Sequence, residues 1–395
     1  VVGDVQGKVC VLVDGWSTLR AEFDDLETEL GQLAVGSLTF GVHLLTATAR
    51  WADYRPSLRE LFGTRLELRL GDPLDSEVDR KVAALVPAGR PGRGLLSTGQ
   101  HFLAALPRID ADPTPDTVAS GVEHLIDRVE AAWPGPPGPT LRLLPEMVPL
   151  ATVREEAQRL DTDAALVVLG VDERELAPLT LDVAAEPHLV VFGDAGSGKS
   201  ALLRTYLHEV IGGRTPQQAQ VMLVDYRRSA LGEVPEAYLL DHLVTQAQAE
   251  PALRELADHL HRRLPGPGVT SEQLRARSWW EGPDVFVVVD DYDLVATQHS
   301  SPLLVLQPLL AQARDVGLHL VVARRAGGAS RSLYEPVLQT LRDLAAPGVL
   351  LSGPTEEGPL IGAVRPRPAP PGRAQFVTRD RGVEVAQLAW SEPTW

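Results

Sequence analysis

At 395 residues, 44% of them hydrophobic, the chain is long enough for two domains with separate cores, and its mean hydropathy of −0.04 is the profile of a soluble globular protein. A formal net charge of −16 speaks against a protein that tracks duplex DNA through a basic face, so no nucleic-acid partner is expected. The single cysteine, Cys10, excludes an intramolecular disulfide framework and fits a reducing compartment; no secretory signal opens the chain and no apolar run approaches the ~20 residues that span a bilayer, so no direct membrane insertion is expected.

The first predicted strand, Val9-Cys10-Val11-Leu12-Val13, runs into Asp14-Gly15, and a second begins after Gly41 with Val42-His43-Leu44-Leu45. Both recur later in the chain. Phe286-Val287-Val288-Val289-Asp290 repeats the first and Gly317-Leu318-His319-Leu320-Val321 the second, and 29 residues separate Asp14 from His43 just as they separate Asp290 from His319. Pro91-Gly92-Arg93 repeats at Pro371-Gly372-Arg373, a few residues out of register. The repeat places the first copy's own phosphate loop upstream of Val1. Residues 1–110 therefore read as the C-terminal part of a degenerate module that starts before this chain does; a small complete domain that merely resembles the second is the alternative. Two histidines from separate copies make no metal set, so His43 and His319 are expected to hydrogen-bond within their cores.

Turn-rich residues 110–115 lead to Thr114-Pro115, which reads as an N-cap with proline at the first helical position. Val118, Val122, Leu125, Ile126, Val129 and Trp133 then recur at helical spacing until Pro134. Pro134-Gly-Pro-Pro-Gly-Pro139 cannot continue a helix and reads as a linker. Residues 111–140 are thus helix plus linker, and 141–395 a complete second module.

That module opens on a five-residue apolar strand, His188–Phe192, followed by Gly193-Asp194-Ala195-Gly196-Ser197-Gly198-Lys199-Ser200 and a helix over 201–211 that ends at Gly212-Gly213. The octapeptide matches the phosphate-binding loop pattern, and strand, loop and helix follow in the order that the pattern needs. Its glycines allow successive backbone N–H groups to face an anion, and the helix start adds unpaired donors. Lys199 is expected on the β- and γ-phosphates of ATP and the Ser200 hydroxyl on Mg²⁺. Lysine is rare here, Lys8 and Lys81 being the only others among 37 basic residues, which makes an incidental lysine in this loop a poor alternative.

Val221–Val224 forms the next strand and ends in Asp225-Tyr-Arg-Arg-Ser229; Arg227 and Arg228 there can serve a neighbour, a γ-phosphate or surface ion pairs. Trp279-Trp280 fits core or seam filling better than a partner anchor. Val285–Val289, five apolar residues, ends in Asp290-Asp291. Asp290 is the expected Mg²⁺ partner of Ser200, through water. Asp291 is placed as the base or orienter of an attacking water, or as a cap of the turn Asp291-Tyr-Asp293. It is one methylene shorter than glutamate, so binding is a firmer expectation than turnover. Arg324 and Arg325, after the strand 318–322, are candidate trans-acting arginines, and Pro371-Gly372-Arg373 reads as a turn.

The stretches Asp225–Val234, Arg275–Trp280, Val289–Leu294 and Gly317–Arg324, with Gly41–Pro56 and Gly63–Arg69 in the first copy, resemble EccC, the FtsK/SpoIIIE-type ATPase family of type VII (ESX) secretion. The resemblance covers nearly the whole chain, as the back half of a second ATPase module and all of a third. It implies an α/β, RecA-like P-loop NTPase fold with a mostly parallel central sheet, and contacts with other modules and ring neighbours. It also implies recognition of small helical-hairpin export substrates through a C-terminal signal, at the cytoplasmic side of a membrane. Asp291 where a strong hydrolase carries glutamate, and Gly15 in the first copy, leave weak hydrolysis and a non-catalytic, ATP-stabilised docking module both open; an FtsK-type DNA translocase is the further alternative.

Overall fold

The computed structural model describes residues 9–135, 142–163, 165–296 and 301–394. The chain falls into two compact units, Val1–Gly138 and Pro139–Trp395. Residues 136–139 of the expected linker lie outside the described residues.

In the first unit, β1 (Val9–Val13) and β2 (Val42–Thr46) pair in parallel, with Val9 opposite Val42. Helices α1 (Trp16–Glu22) and α2 (Asp24–Gly36) connect them, and the fully buried Trp16 packs on Tyr54 at a ring separation of 5.6 Å. A small antiparallel sheet follows, β3 (Leu66–Leu68), β4 (Arg93–Leu96) and β5 (His101–Leu103). The amphipathic helix forms as α3 (Val118–Ala132), with Ile126 and Val129 exposed. Thr114 is the N-cap and Pro115 the first residue, as expected, of a short 3-10 turn, Pro115–Thr117, that runs directly into α3, although the Thr114 side chain makes no cap bond. One local expectation needs correction. His43 points out of a two-stranded sheet and is exposed, so it is no core histidine.

The second unit is built on one sheet whose order is β11-β10-β12-β13-β9-β14-β15-β16-β7-β8, with β6 beside β16. In chain order these are β6 (Val148–Pro149), β7 (Val167–Asp172), β8 (Pro178–Leu181), β9 (His188–Phe192), β10 (Ala219–Val224), β11 (Leu239–Leu243), β12 (Asp284–Val289), β13 (Leu318–Arg324), β14 (Gly348–Leu350), β15 (Arg373–Thr378) and β16 (Gly382–Trp390). The six strands from β11 to β14 run parallel, the next four, from β15 to β8, alternate in direction along the sheet, and the short β6 lies parallel to β16. Helices and loops cover both faces of the parallel half, so every residue of β9 and β13 is buried, and both strands are apolar apart from His188, His319 and Arg324.

Helix α4 (Leu150–Arg159) packs Leu150, Val153 and Ala157 beside β7. Helix α5 (Lys199–Gly212) lays Leu202, Leu203, Tyr206, Leu207 and Val210 on the sheet. Each such side chain stabilises the fold by about 1.5–3 kcal/mol, so the helix that starts the phosphate loop is fixed along its length. Its other buried groups are paired. Glu209 accepts from the Val168 amide at 2.8 Å and meets Arg154, and Thr205 donates to the Ala389 carbonyl at 3.0 Å.

His319 is buried and stacked on Phe286 at 4.2 Å, but the expected core hydrogen bond is not made: among the described residues neither ring nitrogen has a hydrogen-bond partner, the Asp284 carboxylate lies 3.5 Å from the ring, and burial lowers the imidazole pKa. Trp279 and Trp280 are half-buried braces: their indole N–H groups donate to the carbonyls of Arg263 and Asp315, both at 2.7 Å, and the Arg263 guanidinium covers the Trp280 ring.

Candidate nucleotide site

The loop 193–200 leaves β9 and enters α5 at the end of the sheet where β13 separates β9 from β12. Neighbouring strand ends hold it from below. The Gly193 amide donates to the Arg324 carbonyl at 3.2 Å and the Asp194 amide to the Ser352 carbonyl at 2.8 Å. A Cβ at Gly193 would strike Leu351 and the Ser197 side chain. Gly196 and Gly198 have φ of 75° and 112°, conformations in which glycine is free of the Cβ penalty. Gly198 is also the N-cap of α5 and offers no side-chain acceptor, so the first amides of the helix are left to an external acceptor.

Two further details fit a bound polyphosphate. The Ser197 hydroxyl is buried and finds no hydrogen-bond partner among the described residues. The Lys199 ammonium folds back onto the Asp194 carbonyl at 3.1 Å, across its own loop. The turn Pro371-Gly372-Arg373 takes a definite place here: Gly372, at φ 75°, donates its amide to the Ser197 carbonyl at 2.9 Å and backs Gly198 closely.

Across from the loop, β12 delivers the two acids. Asp290 is buried, and its Oδ2 accepts the Ser200 hydroxyl at 2.7 Å, the pairing expected from sequence over a separation of 90 residues. A second hydroxyl, that of Ser229, donates to the same oxygen at 2.6 Å, and the Asp291 amide donates to Oδ1 at 2.9 Å. A serine hydroxyl facing a buried carboxylate at the mouth of an amide-lined loop is an oxygen-rich set suited to a hard divalent cation such as Mg²⁺, which keeps several of its waters.

Asp291 sits in the left-handed region, with φ 47° and ψ 54°. Although it occupies the N-cap position of the short helix Tyr292–Val295, its side chain makes no cap bond; it pairs instead with Arg227, Nε to Oδ2 at 2.8 Å. Burial raises its carboxyl above the ordinary range, the Asp290 charge adds to that, and Arg227 opposes it.

Of the alternatives for the arginines at 227 and 228, Arg227 thus takes the ion pair, and its partner is the second acid itself. Arg324, by contrast, is buried at the end of β13, with its Nε on the Arg325 carbonyl at 3.2 Å. It is not an exposed finger, because the register that places β13 between β9 and β12 draws the side chain inside; Arg325 is exposed.

Sequence reasoning missed Ser229 and Asp225. The buried Asp225 carboxylate accepts from the Ala230 amide at 2.8 Å and from the Arg227 amide at 3.2 Å, and the Ser229 oxygen lies 3.2 Å from it. The signal was the position of the string after a core strand; two arginines in it drew the reading to charge.

Comparison with known proteins agrees with this architecture. The profile of the FtsK/SpoIIIE family matches residues 8–111 and 150–265. The ESX secretion system protein EccC of Thermomonospora curvata is 44% identical over 390 residues, 99% of this chain and 29% of that protein. The ESX-4 secretion system protein EccC4 of Mycobacterium tuberculosis is 45% identical, over 98% of this chain and 30% of its own. The chain therefore spans about 30% of the length of these relatives. A solved structure of ATPases 2 and 3 of T. curvata EccC in complex with a signal sequence peptide superimposes with a TM-score of 0.77 at 44% identity, covering 99% of this chain and 70% of that one.

Proposed function

The chain belongs to the FtsK/SpoIIIE family and, within it, to the EccC ATPases of ESX secretion, and on that premise we propose that its second unit binds MgATP in the loop 193–200 as part of a type VII secretion ATPase. The observation that carries this reading is the 2.7 Å contact between Ser200 and Asp290, which joins the head of the phosphate-loop helix to an acidic strand end. Gly193, Asp194, Ala195, Gly196, Ser197 and Gly198 supply the backbone of the cradle. Lys199 would exchange the Asp194 carbonyl for phosphate oxygens, and Ser200 and Asp290 would hold Mg²⁺, Asp290 through water. The cation would supply charge neutralisation for the phosphates.

Asp291 is the residue placed to orient water for hydrolysis. Its carboxylate is paired with Arg227 and has to leave that ion pair to reach an attacking water, so turnover in this unit is low. The same ion pair favours a second reading, in which nucleotide stabilises a docking platform and is hydrolysed negligibly. Titration with MgATP tests the site: Lys199→Ala is expected to lower affinity by on the order of 10²-fold, through loss of a charge-assisted contact. Unchanged affinity would remove the reading.

The first unit, residues 1–110, is taken as the C-terminal part of a degenerate ATPase module and 111–140 as helix and linker. The parallel pair β1–β2, with Leu12 and Leu45 exposed on it, supports that assignment. Substrate recognition follows from the relatives: one solved relative holds a signal sequence peptide, and we place the C-terminal signals of small helical-hairpin export substrates as partners of this chain too. Other modules and ring neighbours are the remaining partners. Another solved relative is the cytoplasmic domain of the T. curvata type VII secretion ATPase EccC, which supports placement at the cytoplasmic side of a membrane. Among the described residues no helix is long and apolar enough to cross one.

A further inference from the structure

Asp290 Oδ2 is shared by two hydroxyls that come from opposite sides of the site. Ser200 reaches it from the head of α5, and Ser229 from the turn that follows β10. Strands β10 and β12 are in parallel register, Val224 opposite Val289, and the Asp290 amide donates to the Val224 carbonyl at 3.1 Å, so the two strand ends are tied before their side chains meet.

The turn itself is rigidly held. Asp225 is buried, the amides of Arg227 and Ala230 donate to its carboxylate, the His242 ring lies 3.6 Å away, and Arg228 adopts φ 61°. A serine hydroxyl carries one proton and donates to one acceptor at a time. Ser229 lies 2.6 Å from Asp290 and 3.2 Å from Asp225, so its one proton goes to Asp290, the nearer acceptor. Were Ser229 only filling the hydrogen-bond needs of a buried acid, either carboxylate oxygen would serve. It takes the one that Ser200 uses, and with the Asp291 amide on Oδ1 the carboxylate has no freedom left to rotate.

We propose that Ser229 is a positioning residue for the divalent-cation site, its hydroxyl pinning Asp290 Oδ2 toward Ser200 and thereby setting the Mg²⁺ affinity of the nucleotide complex. This rests on the reading of residues 193–200 and Asp290 as the MgATP site. Partners behind a cation's acid typically change metal affinity by about 10–100-fold when removed.

The test uses a fluorescent ATP analogue, titrated into the chain in EDTA and then at rising Mg²⁺. Ser229→Ala should keep the wild-type affinity in EDTA and need about 10-fold more Mg²⁺ for half of the metal-dependent gain. Ser229→Cys, close in shape but a weak donor, should behave like Ser229→Ala, and Ser229→Thr should return the wild-type midpoint. Apo melting curves of the three variants keep a folding defect separate from a metal effect. A wild type that responds to Mg²⁺ together with an identical midpoint in Ser229→Ala and Ser229→Cys would overturn this proposal alone. A wild-type affinity that ignores Mg²⁺ would overturn both it and the reading of the site.

Discussion

Strands β1 and β12 end alike and then differ by one residue. In both, the strand runs into an aspartate, Asp14 or Asp290, and the next residue turns into the left-handed region: Gly15 at φ 75°, Asp291 at φ 47°. Their neighbours repeat too, since Gly41 and Gly317 enter the paired strands at φ 70° and 67°, and Val9 faces Val42 as Val285 faces Leu318. The backbone of the turn is thus common to both copies, and only the first fills it with the residue that fits it without strain. Aspartate reaches that conformation more easily than most residues, yet at a cost of up to about 1 kcal/mol relative to glycine. Here the residue adds a half-buried carboxyl beside another acid. A carboxylate at a turn that glycine would fit better, paired with Arg227 beside Asp290, is the ground on which we propose a chemical role for Asp291.

Copying one turn into the other breaks the comparison most sharply. Asp291→Gly should stabilise the second unit by about 1 kcal/mol, seen as a higher melting temperature. The same change should lower ATP turnover by at least about 10²-fold while MgATP binding persists. Turnover that survives would assign Asp291 to structure alone.

The reciprocal change, Gly15→Asp, should destabilise the first unit by about 1 kcal/mol in denaturant unfolding, with no gain in hydrolysis. An unchanged midpoint would mean that the two turns are not equivalent.

Titration sharpens the contrast further. The folded-state pKa of Asp291 is raised, so the folded state holds its proton more tightly than the unfolded chain does. The penalty for its charge is present above the raised folded pKa and is relieved as pH falls through it. Asp291→Asn should therefore melt higher than wild type near neutral pH, and the gap should close on acidification. A gap independent of pH would point to strain rather than charge.

The smallest effect is expected at Arg227, which is half exposed. Arg227→Ala should change stability by less than about 1 kcal/mol. Turnover should rise as Asp291 is released; a fall would mean that Arg227 aims the carboxylate instead of restraining it.

Much of the site was legible in the sequence because its signals are local. The phosphate loop announces itself in eight residues between a buried strand and a helix, and Asp290-Asp291 closes an unbroken apolar run. The antiparallel half of the sheet was not legible. In β15 only Ala374, Phe376 and Thr378 point inward, and β16 changes from exposed to buried along its length, so neither gives the continuous run that marked β9, β12 and β13. The turn at Asp380-Arg381-Gly382 was the available hint of a hairpin. Ser229 was hidden for another reason: its partner lies 61 residues away, and strand order, which brings β10 beside β12, is not written in any short window. Arg324 erred in the opposite direction, since an arginine at a strand end looks exposed until the strand is seen to be central.

The most direct measurement is a crystal structure of the chain with Mg²⁺ and a non-hydrolysable ATP analogue. The β- and γ-phosphates are expected among the amides of residues 193–200, with the Lys199 ammonium swung off the Asp194 carbonyl onto them and the metal between Ser200 and Asp290. A loop that stays empty at saturating nucleotide, or a metal held by other residues, would refute the assignment of this site.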